Sequence, residues 1–132
     1  MWILRAMEEE NGLPKLGTSA TTLGIRKGKD IVVDTNGLVH RPNFVAGEPN
    51  GLSCAPTVTH LPRFVVPMAL GGRNTKTKVW KILADDLGPE LVAQEDGGTG
   101  SRRHISIGPA RSMPADEYQR AIQATRAKWQ IV

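Results

Sequence analysis

Two side chains capable of proton and hydrogen-bond chemistry stand close together in Arg103-His104-Ile105-Ser106-Ile107-Gly108-Pro109-Ala110. The stretch alternates polar and apolar, the pattern of a half-buried strand. Side chains alternate across a strand, so His104 and Ser106 share one face and Ile105 and Ile107 the other. An imidazole beside a hydroxyl, with Arg102 and Arg103 at the entrance, suits a polar ligand cleft. The plainer alternative is a surface strand that happens to carry a histidine.

Three further stretches bear on that choice. Arg5 is a cation inside the apolar run 2–7. Either its stem snorkels to water at a sheet rim, or its planar fork grips a phosphate or carboxylate. Gly51-Leu52-Ser53 offers close backbone approach and a hydroxyl that can orient a ribose or carboxylate. The same residues also suit an ordinary strand start. Gln94-Glu95-Asp96 sets an amide and two carboxylates ahead of the glycine loop Gly97-Gly98-Thr99-Gly100. That is either a solvated turn or a source of a carboxylate for a cleft, with the loop as its movable rim. His40, His60 and His104 are scattered and lack the spacing of metal ligands, so no metal is expected.

The elements that must position these groups are short. Residues 2–7 read as a strand. Residues 8–29 read as loop, punctuated by Asn11-Gly12, Pro14, Gly17, Gly24 and Gly28. Asp30-Ile31-Val32-Val33, Asp34-Thr35-Asn36-Gly37 and Leu38-Val39 make a hairpin candidate, because Asn-Gly supplies the positive φ of a tight turn. Gly51 to Pro56 begins another short element, and 57–63 allows a turn or two of helix before Phe64. Residues 78–82 and 91–94 read as strands. The strongest helix follows Pro114, with Asp116 and Glu117 in its first turn and Lys128 in its last. Tyr118, Ile122, Thr125 and Trp129 form its apolar face, which reads as packing rather than recognition.

Composition bounds the rest. The 132 residues read as one domain, 1–132, long enough to bury a core without disulfides. With Gly 14 and Pro 9, turns and short elements are expected rather than a helix bundle. The single cysteine, Cys54, closes no internal disulfide and reads as a packing residue. No apolar run reaches the length of a membrane span, and Arg5 and Glu8–Glu10 break the pattern of a signal peptide. A cytoplasmic site of action without membrane insertion is expected, with export by a route that uses no cleaved signal left open. The net charge of +4 sits mostly in the second half, and suits an anionic ligand such as a dinucleotide, a phosphate or RNA. No aromatic residue stands among those basic clusters, which argues against a stacking platform for single strands.

The chain resembles the type VI secretion ADP-ribosyltransferase-like toxin family. Leu4-Arg5-Ala6 is similar to that family's first-strand Tyr-Arg-Ala. Asp30-Ile31-Val32-Val33 with Asn36-Gly37-Leu38 resembles its Asp-Ile-Val and Gly-Leu segment. Gly51-Leu52-Ser53 resembles its Gly-Thr-Ser or Gly-Leu-Ser, and Pro89-Glu90-Leu91 with Gln94-Glu95-Asp96 its Pro-Asp-Leu and Gln-Asp. His104-Ile105-Ser106-Ile107 with Pro109-Ala110 is similar to its His-Tyr-Ser/Thr-Ile and Pro-Ala. Leu52 replaces a threonine found in one branch, and Ile105 replaces the tyrosine after the histidine.

The resemblance implies an α+β fold with two packed, mainly antiparallel sheets, a few flanking helices and a C-terminal helix. It implies a toxin with an NAD cleft, an unknown cytosolic acceptor (protein or nucleic acid), and a cognate immunity protein that blocks the cleft. His104, Ser53 and Glu95 are then the catalytic candidates. Arg5, Gly51, Ser53, Gln94, His104 and Ser106 line the NAD site. Transfer from NAD builds positive charge on the ribose, which a carboxylate stabilises, and Glu95 and Asp96 both qualify. Two other readings stay open: an RNA 2'-phosphate or RNA-end-modifying transferase in which Arg5 and Arg102-Arg103 grip phosphates, and a non-catalytic binding module.

Overall fold

The first strand is longer than its apolar run. In the computed structural model, which describes residues 1–98 and 102–132, β1 spans Trp2–Glu10. Glu8 to Glu10 continue it because both edges of the strand find partners. Its ladder with β5 (Thr77–Leu83) runs from Trp2↔Leu83 to Glu8↔Thr77. Asn11 and Gly12 then turn the chain, with φ of 55° and 81°, into β2 (Leu13–Pro14). Positive φ at both central residues is what a tight hairpin requires. The hairpin therefore forms at the first Asn-Gly.

At the second Asn-Gly it does not form, which corrects the sequence reading. There the Asp34 carboxylate accepts the backbone N–H groups of Asn36 and Leu38, both at 2.9 Å. A side chain that mimics the turn's backbone competes with strand pairing. Leu38–Val39 (β3) instead pairs with Met113–Pro114 (β8), and Ile31 bridges Lys27 and Asn50.

The remaining strands are β4 (Leu52–Cys54), β6 (Leu91–Glu95), β7 (Ile105–Pro109) and β9 (Gln130–Ile131). One sheet has the order β2-β1-β5-β9, a second β4-β7-β6, and β3 pairs with β8. The strand pairings within them are antiparallel. The expected α+β architecture with mainly antiparallel sheets is the one observed. Residues 57–63 yield a single 3-10 turn, Val58–His60.

Both larger sheets share one core. Ile3, Met7, Trp80 and Ile82 from the first meet Leu52, Leu91, Ile105 and Ile107 from the second. Each such side chain contributes about 1.5–3 kcal/mol of apolar burial. Helix α1 (Ala115–Ala124) closes the core with Tyr118 and Ile122, and Trp129 follows beyond its end. Tyr118, Ile122, Thr125 and Trp129 are all buried, as their spacing predicts. Thr125 ends the helix by donating to the Ile122 carbonyl, and Trp129 Nε1 donates to Thr125 Oγ1.

Two contacts lock the place where the sheets meet. Leu4 and Ala55 exchange backbone hydrogen bonds of 2.9 Å, which sets Arg5 of β1 beside β4. Tyr118 donates its hydroxyl to the Ile107 carbonyl and accepts from Leu52 N–H. Gly51, at φ 131°, lies under that tyrosine. A Cβ there would fall 2.2 Å from the Ile107 oxygen.

Candidate active site

Strand register brings the polar groups together. Ser53 pairs with Ser106 across β4 and β7, and Gln94 pairs with Ser106 across β6 and β7. Asp96 N–H donates to the His104 carbonyl at 3.0 Å, extending the β6–β7 pairing by a step. By alternation Ser53, Gln94, Asp96, His104 and Ser106 share one face of the three-stranded sheet. The expected pairing of His104 with Ser106 on one face holds.

The side chains form a relay. Ser53 Oγ lies 2.6 Å from His104 Nε2, and His104 Nδ1 lies 2.6 Å from Asp96 Oδ1. The other oxygen, Asp96 Oδ2, accepts from Ser106 Oγ at 2.6 Å and from Asn50 Nδ2 at 2.7 Å. The Asp96 side chain is only 3% exposed, whereas that of His104 is 37% exposed. Burial alone would raise the Asp96 pKa. The bonds from Ser106, His104 and Asn50 outweigh it, so the carboxyl sits below its ordinary range and is ionised at neutral pH. An ionised carboxylate only accepts, so with a neutral imidazole the proton is on Nδ1. Nε2 then presents its lone pair to the Ser53 hydroxyl. A base held by a third group and aimed at a hydroxyl is the geometry of an activated nucleophile.

The carboxylate of this relay is Asp96 and not its neighbour Glu95. Glu95 lies on the opposite face by alternation, is exposed, and accepts from Arg103 Nε at 2.9 Å. That bond holds its pKa below the ordinary range. Gln94 shares the relay's face and is exposed. Ser106 is buried, with its hydroxyl engaged by Asp96.

Arg5 reaches the site from behind. It is 5% exposed and donates to the carbonyls of Ser53 at 2.7 Å, Thr22 at 2.8 Å and Ser19 at 3.2 Å. Burial lowers its pKa. The snorkelling expected of a rim arginine is absent, and its fork holds the backbone of β4 and of the loop before residue 23. At Gly51 the close approach is made by the chain's own Ile107 and Tyr118. Cys54, one residue beyond Ser53, is buried with its thiol pushed up to about 12, so it is an inert packing residue.

Two depressions are lined by residues of the relay, and a third shares Glu48 with one of them. One, of about 280 Å³, is lined by Gly47, Glu48, Asp96, Gly97 and His104. A second, of about 100 Å³, includes Arg5, Arg26, Ser53 and Phe64. The widest, of about 360 Å³, contains His40, Arg41, Glu48 and Asn50 and so adjoins the first along Glu48. Gly97 is needed here: a Cβ on it would lie 2.5 Å from His104 Cβ and 1.9 Å from the Arg102 carbonyl. Of the glycine loop, residues 99 and 100 lie outside the described residues.

Sequence reasoning missed Asn50, which also donates to the Val45 carbonyl and so ties the 45–50 turn to Asp96. The parity of β6 was the available signal for Asp96. Among the described residues, no cluster of three or more His, Cys, Asp or Glu side chains could hold a metal, and no helix is long and apolar enough to cross a membrane.

Two antiparallel sheets share one core, and a hydroxyl–imidazole–carboxylate relay lies on one face of the second. The family model of the Tse2 ADP-ribosyltransferase toxins matches residues 3–129, and the chain belongs to that family. It is thus a toxin of the ADP-ribosyltransferase class. No significant match was found among curated proteins or among solved structures.

Proposed function

We propose that this toxin binds NAD against the polar face of β4-β7-β6 and transfers its ADP-ribose to a cytosolic acceptor or to water. The observation that carries the reading is the relay from Ser53 through His104 to Asp96 in a chain of ADP-ribosyltransferase ancestry. Breaking the bond between ribose and nicotinamide builds positive charge on the ribose. The Asp96–His104 pair supplies negative charge on that face, and Nε2 is placed to take a proton from an attacking hydroxyl. Gln94 reaches the same face and orients the ligand. Arg5, Gly51 and Ser106 shape the site from within rather than touching NAD.

The phosphate grip of an RNA-modifying reading is weaker, since Arg5 is bonded to carbonyls and Arg103 to Glu95. A toxin that attacks a cytosolic pool endangers its producer. We therefore assign it a cognate immunity protein that covers the cleft, and export into a target cell by a type VI secretion system.

Expression in the cytosol of a cell without a protective partner gene tests the reading. Growth arrest is expected, with either a falling NAD pool or an ADP-ribosylated macromolecule, and His104→Ala relieves it at equal protein level. Unimpeded growth with an unchanged NAD pool and no modified macromolecule would sink the proposal.

A further inference from the structure

We propose that the acceptor is a polypeptide hydroxyl with a lysine or arginine beside it, and that Glu48 selects it by pairing with that cation at the mouth of the relay. The proposal rests on the NAD reading above and names the acceptor which that reading leaves open.

Glu48 stands on a turn that is fixed from both ends. Phe44, before it, has a φ of 55°, which a bulky side chain adopts only when its surroundings impose it. Asn50, after it, is buried and donates to the Val45 carbonyl at 2.9 Å and to Asp96 Oδ2 at 2.7 Å. The turn is thereby tied to the carboxylate of the relay. The Glu48 backbone N–H closes it by donating to the Val45 carbonyl at 3.1 Å. The Glu48 side chain is exposed and, among the described residues, has no hydrogen-bond or ion-pair partner. By contrast, the exposed Glu95 is paired with Arg103 and the exposed Asp116 with Lys27. Glu48 also lines both the depression over His104 and the wide one beside it. A chain that lies in the wide depression and sets a hydroxyl over His104 therefore passes Glu48.

The two approaches to the relay differ in charge. The depression that includes Ser53 is lined by Arg5 and Arg26, and the one over His104 by Glu48 and the ionised Asp96. The first side favours the phosphates of a dinucleotide, and the second favours a cation. A nucleic acid brought to His104 would set its own phosphates against those carboxylates. The wide depression also has no aromatic side chain among its described lining residues on which a base could stack. It offers Val32 and Val45, which are 61% and 54% exposed, to the apolar part of a polypeptide.

Glu48 exchanges no proton in the transfer. The acceptor oxygen bonds to C1 of the nicotinamide ribose as the C1–nitrogen bond breaks, and that bonding pair leaves with neutral nicotinamide. The hydroxyl proton passes to His104 Nε2 and from there to solvent. Glu48 is a positioning residue, and its effect falls on the choice of acceptor.

The test gives the full-length wild-type chain NAD and two peptides of equal length, each with one serine. In one the serine is flanked by lysine and arginine, in the other by glutamates, and a single-stranded RNA is the third substrate. Mass spectrometry counts and places ADP-ribosyl groups, and nicotinamide release is followed in the same tubes. The basic peptide is expected to be modified on its serine about tenfold faster than the acidic one, with the RNA unmodified. Glu48→Arg is expected to reverse the order of the two peptides. That readout is a ratio within one protein, so it does not depend on how much of the variant is folded. Equal rates for the two peptides, a ratio that Glu48→Arg leaves unchanged, a label on a nitrogen or on the RNA, or nicotinamide release with nothing labelled each overturn the proposal and leave the NAD reading intact. No nicotinamide released by wild type in any tube overturns both.

Discussion

Among the described residues the molecule carries two serine–histidine–aspartate arrays, and they differ in orientation and burial. In one, His104 presents Nε2 to Ser53 and Nδ1 to Asp96. In the other, His40 presents Nδ1 to Ser112 at 2.7 Å and Nε2 to Asp34 at 2.8 Å, the reverse order. Asp96 is buried and held by Asn50 and Ser106 as well. Asp34 is 32% exposed, and its remaining bonds close a local turn. His40 itself is 53% exposed. The same three residue types therefore make a pre-organised relay in one place and a solvated surface contact in the other. Burial of the carboxylate, and donors that fix it, separate the two.

That contrast breaks most sharply on catalysis. Asp96→Asn keeps the shape but lets the amide favour the wrong imidazole tautomer. Toxicity or nicotinamide release is expected to fall by about 10³-fold or more, the scale seen when a relay aspartate is replaced elsewhere. Asp34→Asn should leave it within about twofold. Equal losses would show that the two arrays are not distinguished by burial.

Stability gives the next largest difference. Asp96→Ala strands the donors of Asn50, Ser106 and His104 in a buried site and is expected to cost about 3 kcal/mol in urea unfolding. Asp34→Ala should move the midpoint visibly less. A smaller effect lies in pH dependence. Both carboxyls have folded pKa values below the unfolded one. Each therefore stabilises the fold above the unfolded carboxyl pKa of about 3.9, and that contribution disappears as pH falls through the folded value. Midpoints measured from pH 5 downward should decline, and Asp96→Asn should flatten that decline more than Asp34→Asn. The smallest contrast is between hydroxyls. Ser106→Ala is expected to cost about 1 kcal/mol. Ser112→Ala should leave the midpoint where it was.

Much of this arrangement was legible in the sequence. Alternation alone put His104 and Ser106 on one face, and the four-residue spacing of Tyr118 and Ile122 marked the buried side of α1. Asp96 was harder. Which carboxylate joins His104 depends on the register of β6 against β7, and register is set by contacts between strands rather than within one. The Asn-Gly pairs at 11–12 and 36–37 show the same limit. Asn11-Gly12 makes the hairpin because Glu10 and Leu13 find each other, while Asn36-Gly37 is held by Asp34 and its strand goes to β8. Arg5 could be seen as an anomaly in an apolar strand. Its partners are backbone carbonyls of Ser19, Thr22 and Ser53, and carbonyls leave no mark in a sequence. The short strand β9 pairs with the edge of β5 and has no pattern of its own.

His104 of the buried array, not His40 of the exposed one, is the proposed working imidazole. Nicotinamide release from NAD by purified wild type, His104→Ala and His40→Ala, each checked for folding, tests this most directly. Loss of about 10³-fold in His104→Ala with His40→Ala near wild type is the predicted result. A His104→Ala protein that is folded and releases nicotinamide at the wild-type rate would contradict it.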